Sequence, residues 1–232
     1  MFARGDFNMN RELLMRSSLL SVLSALGLLI TLPAFASSPP SIDQIKAWTP
    51  VDQSAMGITV NKLVPVTLKG DEQAYLASVS YAESARNGWA GYILVRPSLK
   101  QARALEEFGG QYNEITPVNS YSPSQSALII GASASGQGSS ESTYSLVVFD
   151  GWNAKTLYSV SESDNSGQCG PEIETYCKGN NAFINVLSIP APTGKLALAI
   201  TNISYSSPDL AAGKPKISQE IQVVFVENPH QN

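Results

Sequence analysis

Carboxylates are the residues of this chain whose type and spacing could support chemistry, and they concentrate between residues 150 and 174. Five acids and one base, Lys155, lie in that segment. Two carboxylic acids held about 5–10 Å apart can hydrolyse a glycosidic bond. Alternatively, loops of one charge sign on a rigid sheet attract a partner of the opposite charge. The candidates for an acidic binding site are Asp150, Trp152, Glu162, Asp164, Glu172 and Glu174.

Trp152 joins these candidates because it lies in a predicted turn, residues 150–153, where we expect its ring to be exposed. Calcium binding is another interpretation of the segment, since Asp164, Asn165 and Ser166 offer oxygen ligands. However, the spaced Asp-x-Asp-x-Asp-Gly pattern with its closing Glu is missing. The sequence therefore predicts no bound metal and no cofactor. A solvated acidic surface is the simplest alternative to a docking site.

The motifs of the common enzyme classes are absent from the sequence. Its single histidine, His230, is close to the C-terminal end, so most acid–base chemistry lacks its usual residue. No G-x-S-x-G elbow, phosphate-binding loop, dinucleotide fingerprint or H-E-x-x-H helix occurs. The net charge of −4 and the lack of a basic cluster argue against a nucleic-acid partner. We therefore expect a protein that is not an enzyme.

Residues 1–36 are predicted to be a secretory signal peptide. Three arginines precede an apolar run of 14 residues, and the sequence Ala-Phe-Ala at 34–36 matches a cleavage site. As a helix the run would measure about 21 Å, which is shorter than the roughly 30 Å of a membrane core. We therefore expect export to the bacterial periplasm or beyond the cell, and no membrane insertion after cleavage.

Two cysteines, Cys169 and Cys177, follow the predicted leader with seven residues between them. In an oxidising compartment an even number of cysteines favours a disulfide, and the intervening Gly170 and Pro171 suit a loop. Zinc is the competing interpretation, but two thiols and one distant histidine form a poor tetrahedral site. The sequence predicts a Cys169–Cys177 disulfide.

Alternating apolar residues dominate residues 37–232, which we expect to form a single domain. Ile58, Val60 and Val64, for example, share one face of a predicted strand. The Asn87–Gly88 dipeptide predicts a hairpin over residues 73–96. The predicted strands are 58–68, 73–82, 89–96, 112–118, 126–132, 143–149, 155–161, 182–189, 195–205 and 216–226.

Two short helices accompany these strands in the prediction. Ser41 is expected to cap the first, which ends at Trp48 before Pro50. The second is expected over residues 97–108, because Leu99, Ala102, Leu105 and Phe108 recur at helical spacing. The fold class is therefore mostly β, an antiparallel sandwich or barrel-like sheet with one or two short helices.

These observations favour an exported, non-enzymatic binding protein of the bacterial envelope, such as an inhibitor or immunity-type protein that docks a basic protein partner through its acidic loop. One alternative is a carboxylate-based hydrolase that acts on envelope polysaccharide. Another is a structural component of an envelope assembly, which would associate with itself. The sequence does not indicate which oligomeric state the protein adopts.

Overall fold

A computed structural model describes residues 38–54, 57–83, 88–118, 121–122, 124–169, 176–207 and 215–228. The predicted leader, Glu172, Glu174 and His230 lie outside these ranges. Within them the helices are α1 (Ile42–Trp48) and α2 (Val51–Ser54). The strands are β1 (Ile58–Thr67), β2 (Gln73–Tyr81), β3 (Ala90–Arg96), β4 (Gln101–Ala104), β5 (Tyr112–Val118), β6 (Ala127–Gly136), β7 (Ser139–Asp150), β8 (Asn153–Asp164), β9 (Cys177–Val186), β10 (Lys195–Ser207) and β11 (Lys216–Glu227). No helix among the described residues is long and apolar enough to cross a membrane.

Helix α1 begins at the residue that the sequence predicts. The Ser41 hydroxyl accepts the backbone N–H of Gln44, and the Gln44 side chain accepts the backbone N–H of Ser41. This reciprocal capping box supplies partners for backbone groups that the first helical turn leaves unpaired. Ile45 is fully buried and belongs to a core cluster formed by one face of a four-stranded sheet. The helix therefore covers that face.

The four-stranded sheet has the antiparallel order β1-β2-β3-β4, and both of its faces are buried at the centre. Ala77, Val79 and Ile93 pack with Ile45 of α1 on one face. Leu76 and Leu94 point the other way, into a second core cluster. Burial on both faces explains why β3 is almost continuously apolar.

A seven-stranded antiparallel sheet with the order β11-β10-β9-β8-β7-β6-β5 forms the rest of the fold. Ile115, Leu128 and Val147 of β5–β7 share a core cluster with Leu76 and Leu94 of the smaller sheet. The two sheets therefore pack face to face, and the predicted mostly-β, sandwich-like fold class is confirmed.

The larger sheet also folds back on itself at the junction between β8 and β9. Those strands pair only at Ser163–Asn180 and Asp164–Gly179. Beyond this corner they separate, and a third core cluster fills the space between the layers. Leu146 and Val148 of β7 share that cluster with residues of β9 and β10. The β9–β11 layer therefore lies over the face of β6–β8 that points away from the smaller sheet.

The helix predicted over residues 97–108 is wrong. The segment instead contains a 3-10 turn (Pro97–Leu99), strand β4 and a second 3-10 turn (Glu106–Phe108). Lys100 adopts a left-handed backbone conformation with φ 52°, which ends the first turn. Residues 101–104 then pair with the open edge of β3. Backbone hydrogen bonding to β3 and burial of Ala102 outweigh the local helical spacing.

Candidate functional site

The predicted candidates Asp150 and Trp152 lie at the hairpin turn that connects β7 to β8. Asp150 is exposed and lies 3.7 Å from Lys69. Trp152 is half-buried, since its ring packs against the core between the two sheets. The guanidinium carbons of Arg96 and Arg103 lie 4.8 and 4.5 Å from the centre of that ring. The predicted exposure of Trp152 is therefore wrong, because the core and two arginines occupy its faces.

Glu162 and Asp164 lie at the opposite end of β8 from Trp152. The strand rise places them about 30 Å from the β7–β8 turn. The four candidates within the described residues thus fall into two separate groups. Glu172 and Glu174 lie outside those residues. Among the described ranges, no group of three or more His, Cys, Asp or Glu side chains could hold a metal ion.

Asp164 helps to hold the corner at which the large sheet folds back. Its Oδ1 accepts the Tyr205 hydroxyl at 2.8 Å and the Ser166 backbone N–H at 2.6 Å. Burial acts to raise the pKa of Asp164, but the hydrogen bonds from Tyr205 and Ser166 outweigh burial and lower it. The Cys169–Cys177 disulfide, predicted from the sequence and confirmed here, closes the adjacent loop with its Cα atoms 5.1 Å apart.

Glu162 belongs to a cleft of about 300 Å³ between the β5–β8 layer and β9. The cleft opens where these two layers diverge. Its lining combines carboxylates, a tyrosine and apolar side chains, and none of the lining residues is basic. The lining residues are Glu114, Thr116, Ile129, Tyr144, Glu162, Ala182, Phe183, Ile184 and Asn185.

The sheet register places the polar groups of this cleft. Glu114 of β5 lies opposite Gly131 of β6, and Gly131 lies opposite Tyr144 of β7. A Cβ atom at Gly131 would lie only 2.7 Å from Cε1 of Tyr144, so the glycine allows the tyrosine ring to lie over β6. Glu162 pairs with Ser142, which lies two residues before Tyr144 on the same face of β7. The backbones of β5 and β8 are three strand spacings apart, about 14 Å.

The floor of the cleft is fixed from below by Tyr92 of the smaller sheet. Its buried hydroxyl donates to the carbonyl oxygens of Glu114, at 2.8 Å, and of Gly131. The same oxygen accepts the Glu114 backbone N–H at 2.9 Å. Burial is the main cause that raises the pKa of Tyr92 far above its usual range. The hydroxyl therefore stays protonated and ties β5 to β6 beneath the cleft.

Tyr144 is neutral and lies in the field of both carboxylates. Burial raises its pKa, and the charges of Glu162 and Glu114 and a hydrogen bond with Glu162 raise it further. One Glu162 oxygen also accepts the Ala182 backbone N–H at 3.0 Å, which orients that side chain. The cleft thus presents two carboxylates on either side of a tyrosine, above an apolar floor.

Sequence reasoning identified Glu162 but missed Glu114 and Phe183. Glu114 is the single acid of the predicted strand 112–118, far along the chain from the acidic segment. The available signal was alternation, which places Glu114 on the face opposite the buried Ile115. Phe183 is half-exposed at the rim of the cleft.

An acidic cleft with an apolar floor suits a cationic group on an aliphatic or aromatic stem. The carboxylates supply charge-assisted hydrogen bonds, and the tyrosine ring adds a favourable surface for a cation. Comparison with protein-family models, with curated proteins and with solved structures finds no match to this chain.

Proposed function

We propose that this chain is an exported, non-enzymatic binding protein of the bacterial envelope that docks a basic segment of a protein partner. The docking site is the cleft between Glu114 and Glu162 rather than the whole acidic segment. The observation that carries the proposal is the placement of two carboxylates around the neutral Tyr144, with no basic residue in the lining.

A lysine side chain matches the chemistry of this cleft. Its four methylene groups can lie along Ile129 and Ile184 while the ammonium group reaches a carboxylate and the Tyr144 ring. Because no lysine or arginine of the lining competes for the carboxylates, an incoming cation would find them available. The surplus negative charge would also raise the rate of encounter with a basic partner.

Export is supported by two observations of different kinds. The sequence of residues 1–36 has the arrangement of a leader, and the Cys169–Cys177 disulfide is typical of proteins that fold in an oxidising compartment. Together they favour the periplasm or the extracellular medium as the location of the partner.

The proposal is tested by calorimetric titration of the purified protein with a pentalysine peptide. Glu114→Gln and Glu162→Gln should each weaken binding roughly tenfold, because each removes one charge-assisted hydrogen bond of about 1.5 kcal/mol. Asp150→Asn is the matched control, since it makes the same change in charge about 30 Å along the strand. Equal affinity for all four proteins would refute the cleft as the docking site.

A carboxylate-based hydrolase is the second candidate, because Glu114 and Glu162 share one cleft. This function requires the two carboxyl groups to approach to about 5–10 Å around a bound sugar. It predicts turnover of envelope polysaccharide that is lost in Glu162→Gln. Lack of turnover with purified peptidoglycan and other envelope glycans, together with intact peptide binding, would favour the docking function.

A further inference from the structure

The terminal strands of the two sheets differ in how their open edges are protected against pairing with a strand of another chain. β1 contains Pro65 and a register shift between Val60 and Lys62. β4 has only four residues, and β5 contains Pro117. Prolines, bulges and short lengths are devices that stop an edge strand from pairing with another chain. β11 has 12 residues with no proline and no register shift against β10.

The free part of this edge is residues 216–223, every one of which is exposed, and Pro215 immediately precedes it. Val224 and Val226, by contrast, are half-buried and pack on the core beneath β11. The last residues of the strand also face Lys155 of β8 across a separate cleft. Ile217 and Ile221 are 66% and 62% exposed, on the face that points away from the core. The described residues therefore leave an eight-residue edge segment uncovered, and within it residues 216–222 are centred on Gln219.

We propose that residues 216–222 pair with the same residues of a second copy of this chain, antiparallel, about a two-fold axis at Gln219. A two-fold axis makes each contact occur twice, so the segment must be complementary to itself. In this register Ile217 lies opposite Ile221 of the partner subunit, and the reciprocal pair repeats the contact. Ser218 lies opposite Glu220 of the partner subunit and can donate a hydrogen bond to it.

Charge complementarity supports the same register. Lys216 lies diagonally across from Glu220 of the partner subunit, a separation that long side chains bridge between neighbouring strands. An axis at Glu220 would instead place two glutamates directly opposite each other, which is destabilising. An axis at Ser218 would place each Ile217 opposite a glutamine. The axis at Gln219 pairs isoleucine with isoleucine, keeps the two glutamates apart and confines the pairing to exposed residues.

This dimer is independent of the cleft between Glu114 and Glu162, since it uses the edge of β11. Pairing would supply partners for the open backbone groups of that edge and join the two β9–β11 layers into one continuous sheet. It does not require any change in the described fold.

A charge-swap series measured by sedimentation velocity tests the proposal. We expect the wild-type protein to shift from monomer to dimer as its concentration rises. Glu220→Lys should raise the dimer dissociation constant roughly tenfold, because it turns two attractive contacts into repulsive ones. Adding Lys216→Glu to that variant should restore the dimer. Residues 216 and 220 are too far apart on one strand to interact, so such rescue requires contact between copies.

Glu107→Lys, at an exposed site in a 3-10 turn, is the matched control and should not change dimerisation. Far-UV circular dichroism establishes that each variant is folded. A wild-type protein that stays monomeric at every concentration would overturn the proposal, as would a dimer that Glu220→Lys leaves unchanged.

Cysteine cross-linking tests the register separately. Gln219→Cys lies on the axis and should form a disulfide between copies, because directly opposite Cβ atoms are about 5 Å apart. Ile221→Cys should not, since the two Cα atoms would be roughly 13 Å apart. Cross-linking at position 221 without cross-linking at position 219 would contradict the axis at Gln219.

Discussion

The contact between Gly131 and Tyr144 makes the structure of the cleft measurable through stability. A Cβ atom at Gly131 would meet Cε1 of Tyr144 at 2.7 Å and Cδ1 at 2.9 Å, whereas ordinary contacts are about 3.5–4.0 Å. In Gly131→Ala the ring must therefore move by roughly 1 Å or the two strands must separate. Overpacking of this kind costs about 1–3 kcal/mol of unfolding free energy.

The sign of the effect should reverse once the ring is removed. In a Tyr144→Ala background, Gly131→Ala meets no ring, and alanine in a strand interior is about 0.5–1 kcal/mol more favourable than glycine. We therefore expect a coupling energy between the two positions of about 1.5–4 kcal/mol. Urea unfolding followed by circular dichroism, on the wild type, both single variants and the double variant, measures it.

Independent effects at the two positions would refute this reasoning. If Gly131→Ala had the same effect in both backgrounds, Tyr144 would not lie over Gly131, and the arrangement of the cleft would be incorrect. A second measurement separates packing from docking. Gly131→Ala should also weaken pentalysine binding, because it displaces the ring from between the carboxylates.

Three further measurements probe other contacts. Replacing Cys169 and Cys177 with serine should lower the unfolding free energy by about 2.5 kcal/mol, and dithiothreitol should then affect only the wild type. The hydrogen bond from Arg96 is the main cause that lowers the pKa of the Glu72 carboxyl below its usual 4.5. The ionised carboxylate therefore stabilises the fold above pH 4.5, and this contribution is lost as the pH falls through the lowered pKa of Glu72. Glu72→Gln should therefore be about 1 kcal/mol less stable than the wild type at pH 7 in urea titrations, and this difference should disappear in acid. Tyr92→Phe leaves the part-buried backbone N–H of Glu114 in β5 without its acceptor and should cost about 1–3 kcal/mol, measured by thermal unfolding. No loss of stability would mean that water replaces the hydroxyl.

Strands such as β1 could be predicted from the sequence because one face is buried while the other is partly polar. Residues such as Val64 and Val66 alternate with exposed neighbours, so their period of two is visible locally. The wrong prediction of a helix over residues 97–108 arises because the local spacing resembles a helix although the chain there is largely extended. Ala102 and Leu105 suggest one helical face, but in the extended chain they enter different core clusters on opposite sides of β4. Pairing with β3 decides the outcome, and local spacing contains no information about that partner.

The cleft could be predicted only in part, because its residues come from strands that are distant in the chain. Glu162 lies in an acidic segment that is visible in the sequence. Glu114 lines the same cleft only because β5, β6, β7 and β8 are neighbours in the sheet, and that order cannot be read from the sequence. The chain turn at residues 150–153 separates Asp150 and Trp152 from Glu162 by a full strand length. Proximity along the sequence therefore suggested one acidic site, whereas the sheet places these residues in two separate regions, at opposite ends of β8.

The short pairing between β8 and β9 has a consequence for local unfolding of the molecule. Two residue pairs connect these strands, while longer ladders join β9 to β10 and β10 to β11. Native-state hydrogen exchange should therefore reveal the last three strands as a cooperative unit that detaches at lower free energy than global unfolding. Because the disulfide joins Cys169, just after β8, to the first residue of β9, the detached unit would stay tethered at the corner and could return to the same register.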